Sequence, residues 1–223
     1  RKAIREAIEN PAHPYHDYIL HIIHDIDPEV MKTLAVNFFI NASLIGWSKQ
    51  EENRAKYNCN VPWAILLDPT SACNLHCTGC WAAEYGNKLN LTFDEIDSII
   101  QQGKKLGVYM YIYTGGEPLT RKNDLIRLCE KHNDCVFLCF TNATLIDEKF
   151  ADEMLRVKNF IPAISLEGDE VSTDSRRGQG TYQKVVRAMK LLHEKKLPYG
   201  ISSCYTSVNY EKITSDTYYN SLI

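Results

Sequence analysis

Apolar positions recur in two rhythms along this chain, and the change falls near residue 60. Up to that point the spacing is helical. Arg1–Asn10 reads as a short charged helix stopped by Pro11, and His13-Pro14 is a break. Asp17–Asp25 is apolar on one side through Ile19, Leu20, Ile22 and Ile23. Pro28 suits the first turn of a further helix, in which Val30, Leu34, Phe38, Ala42 and Ile45 recur at steps of three or four. Residues 34–47 are mostly apolar, interrupted by Asn37 and Asn41, and this run is too short for a transmembrane span. It fits a core or docking helix; it also fits a helix lying on a membrane surface or lining a greasy substrate site.

From residue 61 strands and helices alternate. The predicted strands are Trp63–Leu67, Val108–Tyr113, Cys135–Phe140, Ile161–Leu166 and Tyr199–Cys204. Between them lie helical patterns over Leu91–Leu106, Lys122–His132, Asp147–Val157 and Thr181–Lys195, and another helix starts at Ser215. Leu91–Leu106 carries the most complete local signals. Thr92 and Glu95 form a capping box, Leu91 and Ile96 a hydrophobic staple, and Gly107 a left-handed stop. Five β–α units in series predict a parallel sheet with right-handed crossovers. The fold class is α/β: a partial (β/α)6-type TIM-like barrel, truncated after the fifth unit, with a helical N-terminal segment. Residues 1–60 form that segment and 61–223 the barrel. By alternation Met110 and Ile112 share the side of Thr114, while Tyr109, Tyr111 and Tyr113 face the helices.

Composition narrows the class. The chain has 223 residues, 44% hydrophobic and 24% charged, with a net charge of −3. That balance supplies no basic field for nucleic acid. There are eight Cys, yet the chain is too long and too evenly core-forming for a disulfide mini-scaffold. A reduced, cytoplasmic compartment follows. His13, His16, His21 and His24 straddle a Pro-broken segment and read as surface histidines rather than ligands.

Three of the cysteines stand together in Cys73-Asn-Leu-His-Cys77-Thr-Gly-Cys80, a C-x3-C-x2-C spacing that directly follows the first strand. Three thiolates on one tight loop suit three corners of an iron–sulfur cube, which leaves the fourth iron free for another ligand. The competing chemistry is structural zinc, with His76 or Cys59 as a fourth ligand. Thr114-Gly115-Gly116-Glu117-Pro118 ends the second strand. The paired Gly permits close approach of a ligand, Glu117 places a carboxylate beside it, and Pro118 fixes the exit. The other five Cys read as structural.

Together these two motifs resemble the radical S-adenosylmethionine (SAM) enzymes over about residues 62–205. The resemblance implies that Cys73, Cys77 and Cys80 hold a 4Fe–4S cluster whose open iron chelates SAM. It implies that Gly115, Gly116 and Glu117 receive the amino group of SAM, with Thr114 beside them. Thr141-Asn142 is similar to the family's Thr-Asn-Gly, with Ala143 at the third place, and brings Asn142 to the cofactor. Ser165-Leu166-Glu167-Gly168 is similar to the Ser-Leu-Asp-Gly of the peptide-modifying and molybdenum-cofactor-like branch. There Ser165 contacts SAM and Arg177, with Arg176 as the near alternative, clamps its carboxylate. Arg176 and Arg177 also fit a solvated loop. Thr114, Ser165 and Glu167 are expected to face the barrel interior with the cofactor. Gly79 stands where the family carries an aromatic residue, which resembles hopanoid-type adenosyl transferases, and Trp81 is expected to cover the cluster instead.

The resemblance implies a cluster that cleaves SAM to a 5′-deoxyadenosyl radical, fed by a flavodoxin- or ferredoxin-like low-potential donor. The substrate is a peptide, a lipid or a small molecule. Gly79 and the N-terminal helices point toward a greasy or membrane-delivered one, with peripheral membrane contact. The other classes to weigh are a zinc-stabilised binding module and an iron–sulfur electron-transfer protein.

Overall fold

The computed structural model describes residues 2–86 and 88–222; Arg1, Asn87 and Ile223 lie outside the described residues. Five strands form one parallel sheet: β1 (Ala64–Leu67), β2 (Met110–Tyr113), β3 (Val136–Thr141), β4 (Phe160–Ser165) and β5 (Gly200–Ser202). Their spatial order is the chain order, β1-β2-β3-β4-β5. An unreversed order keeps every crossover winding the same way, so the sheet curls as a barrel wall with its helices outside. Those helices are α5 (Phe93–Leu106), α6 (Lys122–Lys131), α7 (Glu148–Val157), α8 (Glu170–Arg177) and α9 (Thr181–Glu194), followed by α10 (Tyr210–Ile213) and α11 (Asp216–Leu222). This is the partial TIM-like barrel expected, with strand ends moved by a residue or two.

The local signals hold where they were clearest. Thr92 accepts from the backbone N–H of Glu95 while Glu95 accepts from that of Thr92, and Gly107 closes α5 at φ 96°. Alternation sets the two faces of the sheet. Tyr111, Tyr113 and Phe137 are wholly buried against the helices, with Tyr113 and Phe137 stacked at 5.6 Å and the Tyr111 hydroxyl donating to Ile100 O at 2.9 Å. Each such side chain contributes about 1.5–3 kcal/mol. Leu66 and Phe140 point to the concave face and remain exposed.

Before the barrel come α1 (Lys2–Glu9), α2 (His16–Asp25), α3 (Pro28–Ala35) and α4 (Gly46–Tyr57). A π-helical stretch, Val36–Ile45, joins α3 to α4, so Pro28–Tyr57 runs as one helix of 30 residues. This corrects the sequence reading: by length and composition alone that helix is long enough to cross a membrane. Its inner face is nonetheless tied to the barrel. Asn37 donates to Asn133 O (2.7 Å) and Cys135 O (3.0 Å), Asn41 to Asp134 O (3.0 Å), and Gln50 to Gly107 O (2.8 Å). Wider π winding accompanies this reach, and Ser43 donates back to Phe38 O, five residues earlier. The two Asn that interrupt the apolar run are therefore its anchors. Gly46 and Gly107 meet so closely that a Cβ on Gly46 would lie 2.5 Å from Gly107 O.

Candidate functional site

The loop that leaves β1 is held before it reaches its first cysteine. Thr114 N–H donates to Leu67 O (2.9 Å), Gly116 N–H to Thr70 O (2.9 Å) and Glu117 N–H to Ala72 O (2.8 Å), so the end of β2 is zipped along the cysteine loop. A Cβ on Gly116 would stand 2.3 Å from Ala72 O, and Gly115 sits at φ 103°. Only glycine tolerates either position. On the other side Thr70 accepts from Ala72 N–H and bonds Asn90, and Arg121 ties Pro69 O and Leu91 O.

Beyond this base the three thiols open into one cavity of about 160 Å³. Thr114, Gly115, Gly116, Glu117, Asn142, Ser165 and Arg177 line the same cavity. All ten sequence-predicted site residues are therefore brought together: nine lie at or beyond the ends of four strands, where barrel folds carry their chemistry, and Arg177 comes from the end of α8. Burial raises the Cys73 thiol, opposed by the Leu75 N–H; the Glu117 charge and the neighbouring thiols add to the rise. Burial likewise raises Cys77, while Arg177 and Arg176 pull it down. A bound metal cation would supply the charge that favours thiolate there.

Glu117 is almost wholly buried, and burial raises its pKa. Its carboxylate accepts from Thr141 Oγ1 (2.7 Å), Asn142 N–H (2.8 Å) and Leu119 N–H (3.0 Å). The side chain thus lines the cavity while locking β3 to β2. Asn142 is likewise engaged, donating to Asn74 Oδ1 (2.9 Å) within the cysteine loop and accepting from Thr144.

Arg176 and Arg177 end α8 and are not in a solvated loop. Glu167, expected to face the cofactor, instead lies beneath them, wholly buried. Its Oε1 accepts from Arg176 Nη1 (2.6 Å) and from Arg177 Nε (2.8 Å) and Nη2 (2.5 Å), and its Oε2 accepts from Cys204 N–H (2.8 Å). Arg176 O in turn accepts from Thr78 N–H at 2.8 Å, between Cys77 and Cys80. One carboxylate therefore fixes two guanidiniums, and through α8 the far side of the cysteine loop. The Asp-like place in the Ser-Leu-Glu-Gly run was the only sequence signal for this. Trp81 flanks the thiols, and Phe140 and Thr141 complete the wall. Among the remaining five cysteines Cys129, Cys135 and Cys139 are buried as expected, whereas Cys59 and Cys204 are exposed.

The donor set fits a multi-iron cluster. Three thiols open into one cavity, and three thiolates on one tight loop suit three corners of an iron–sulfur cube.

A 27% identical AdoMet-dependent heme synthase of Methanosarcina barkeri aligns over 70% of this chain and 46% of its own length. An uncharacterised protein of Archaeoglobus fulgidus is 32% identical over 63% of this chain and 34% of its own. The chain thus spans about half or less of the curated relatives it matches. Among solved structures, native anSMEcpe with bound AdoMet is 26% identical at a TM-score of 0.61, covering 71% of this chain and 48% of that one. SuiB of Streptococcus suis, bound to its precursor peptide SuiA, shares the fold at a TM-score of 0.65 and 24% identity, covering 78% and 40%. Residues 67–218, from the end of β1 into α11, match the family pattern as one block, and with three thiols facing a Gly-Gly-Glu turn across one cavity, this chain belongs to the Radical SAM superfamily, which uses a 4Fe–4S cluster and S-adenosylmethionine.

Proposed function

We propose that this chain is the barrel of a radical SAM enzyme, with residues 61–223 forming the catalytic unit and 1–60 a helical segment docked upon it. When bound, the 4Fe–4S cluster and SAM would supply one-electron reductive cleavage of the SAM C–S bond, giving methionine and a 5′-deoxyadenosyl radical able to take hydrogen from, or add to, the substrate. The protein's part is to hold and orient these groups. Cys73, Cys77 and Cys80 would hold three of the cluster's irons. The Gly115–Glu117 turn receives the amino group of SAM; Ser165 and Arg177 receive its carboxylate, and Thr114 and Asn142 border them. Arg176 and Arg177 are pre-set on Glu167, so little side-chain entropy is lost when an anion arrives. A low-potential donor of flavodoxin or ferredoxin type supplies the electron. Eight unpaired cysteines fit a reduced cytoplasmic compartment.

The observation that carries the reading is the convergence of all three thiols with the Gly-Gly-Glu turn and Arg177 in one cavity. The test is anaerobic reconstitution with iron and sulfide, then SAM and dithionite, with 5′-deoxyadenosine measured by chromatography. The parent forms it and Cys77→Ala does not. Stoichiometric zinc with no deoxyadenosine sinks the proposal, and a cluster that cycles without consuming SAM turns it into electron transfer.

A further inference from the structure

A second cavity, of about 560 Å³, adjoins the first. The two share Trp81, Gly115 and Gly116, so whatever fills the second lies one side chain from the thiols. Its walls are mostly apolar. Leu66 on the concave side of β1, Trp81 and Tyr85 on the short 3-10 turn Trp81–Tyr85, and Leu89 beyond it are all more than half exposed. Four large apolar side chains from three segments thus surround a hollow instead of closing on one another. Such convergence beside a reactive centre marks a ligand site. The volume suits a ring-sized apolar body.

Its polarity is one-sided. Among the described residues lining it, Asp68 alone carries a formal charge. Asp68 is exposed to solvent; its carboxylate has no hydrogen bond or ion pair among the described residues, and partial burial moves its pKa upward. Asp68 directly follows β1, on the same barrel mouth as the cysteines. A carboxylate without a partner, beside an apolar wall, discriminates in favour of a cation and against an anion.

We propose that this cavity seats an apolar, ring-sized portion of the substrate that carries an amine, with Asp68 receiving the ammonium group. This rests on the radical SAM reading for its catalytic meaning, though not for the binding itself. The probes are three ligands with one apolar body: naphthylethylamine, naphthylethanol and naphthylacetate, titrated by calorimetry into the reconstituted full chain. The amine is expected to bind at least about ten times tighter than the carboxylate, with the alcohol between them. Asp68→Asn is expected to shrink that gap to less than about threefold. Leu66→Arg, and independently Leu89→Arg, weaken the amine about tenfold or more, with folding verified by circular dichroism. Equal affinities for the three probes, an unchanged order in Asp68→Asn, or both Arg variants binding like the parent overturn the proposal. So does displacement of the amine by adenosine, which makes the cavity a nucleoside seat. Deoxyadenosine formation is measured on the same preparations. Its absence beside an intact probe order removes the enzyme reading and leaves the amine site standing; its presence with no probe order removes the amine site alone.

Discussion

Replacing Glu167 with Gln tests whether one buried carboxylate holds the site's cationic wall. The Glu167 side chain is 0% exposed, and its partners Arg176 and Arg177 are 20% and 11% exposed. Gln keeps the shape, removes the charge, and turns an NH2 toward groups that are themselves donors. Taking one partner from a buried ion pair costs about 3–5 kcal/mol. Both guanidiniums retain some access to water, and a Gln oxygen still accepts one bond, so the lower end applies: about 3 kcal/mol. For a chain of this size that lowers Tm by roughly 6–12 °C. Glu167→Asp keeps the charge on a shorter arm and loses about half as much. Because Arg176 O also holds Thr78 N–H, the Gln variant is further expected to load less iron. Thermal melts by circular dichroism read the first effect and iron analysis after reconstitution the second. A Gln variant that melts within about 2 °C of the parent and loads iron equally refutes the reasoning.

Two further outcomes follow from packing and titration. Gly46→Ala drives a Cβ toward two backbone oxygens, Gly107 O at 2.5 Å and Asn41 O at 2.9 Å; overpacking outweighs the gain in helix propensity, so stability drops by about 2 kcal/mol, read as a lower urea midpoint, and a variant as stable as the parent shows that the long helix is not seated as described. His132 is buried against Asp97, with Nε2 and Oδ1 at 2.8 Å, and burial lowers its pKa although Asp97 opposes this. The unfolded chain takes up that proton near pH 6.5 and the folded chain does so only lower, so stability is full above about pH 6.5 and declines as pH falls below it. His132→Gln is expected to flatten the decline between about pH 6.5 and 5 in melting experiments, and an unchanged slope assigns it to other groups.

How far the sequence could be read depended on the distance over which each residue acts. The Thr92–Glu95 capping box, the Gly107 stop and the outward Tyr111 and Tyr113 all arise from neighbours within a turn or from strand alternation, and all are realised. Asn37 and Asn41 read as breaks in an apolar run because their partners, Asn133 to Cys135, lie more than ninety positions away. Arg176 and Arg177 read equally well as a solvated loop, since EVSTDSRR offers no apolar stripe to fix it. What orders that segment is polar and tertiary: Asp169 caps it and Glu167 grips its end.

Cysteine spacing, the Gly-Gly-Glu-Pro turn and the β–α rhythm were enough to name the barrel and the family, because each is encoded within a few consecutive residues. Only the folded chain showed that Glu117 and Asn142 brace the strand ends as well as line the cavity, that Glu167 sits under the arginines rather than beside the cofactor, and that an apolar hollow with a lone carboxylate opens next to the thiols. Those arrangements depend on which side chains desolvate one another across the barrel mouth, and spacing along a chain carries no record of that.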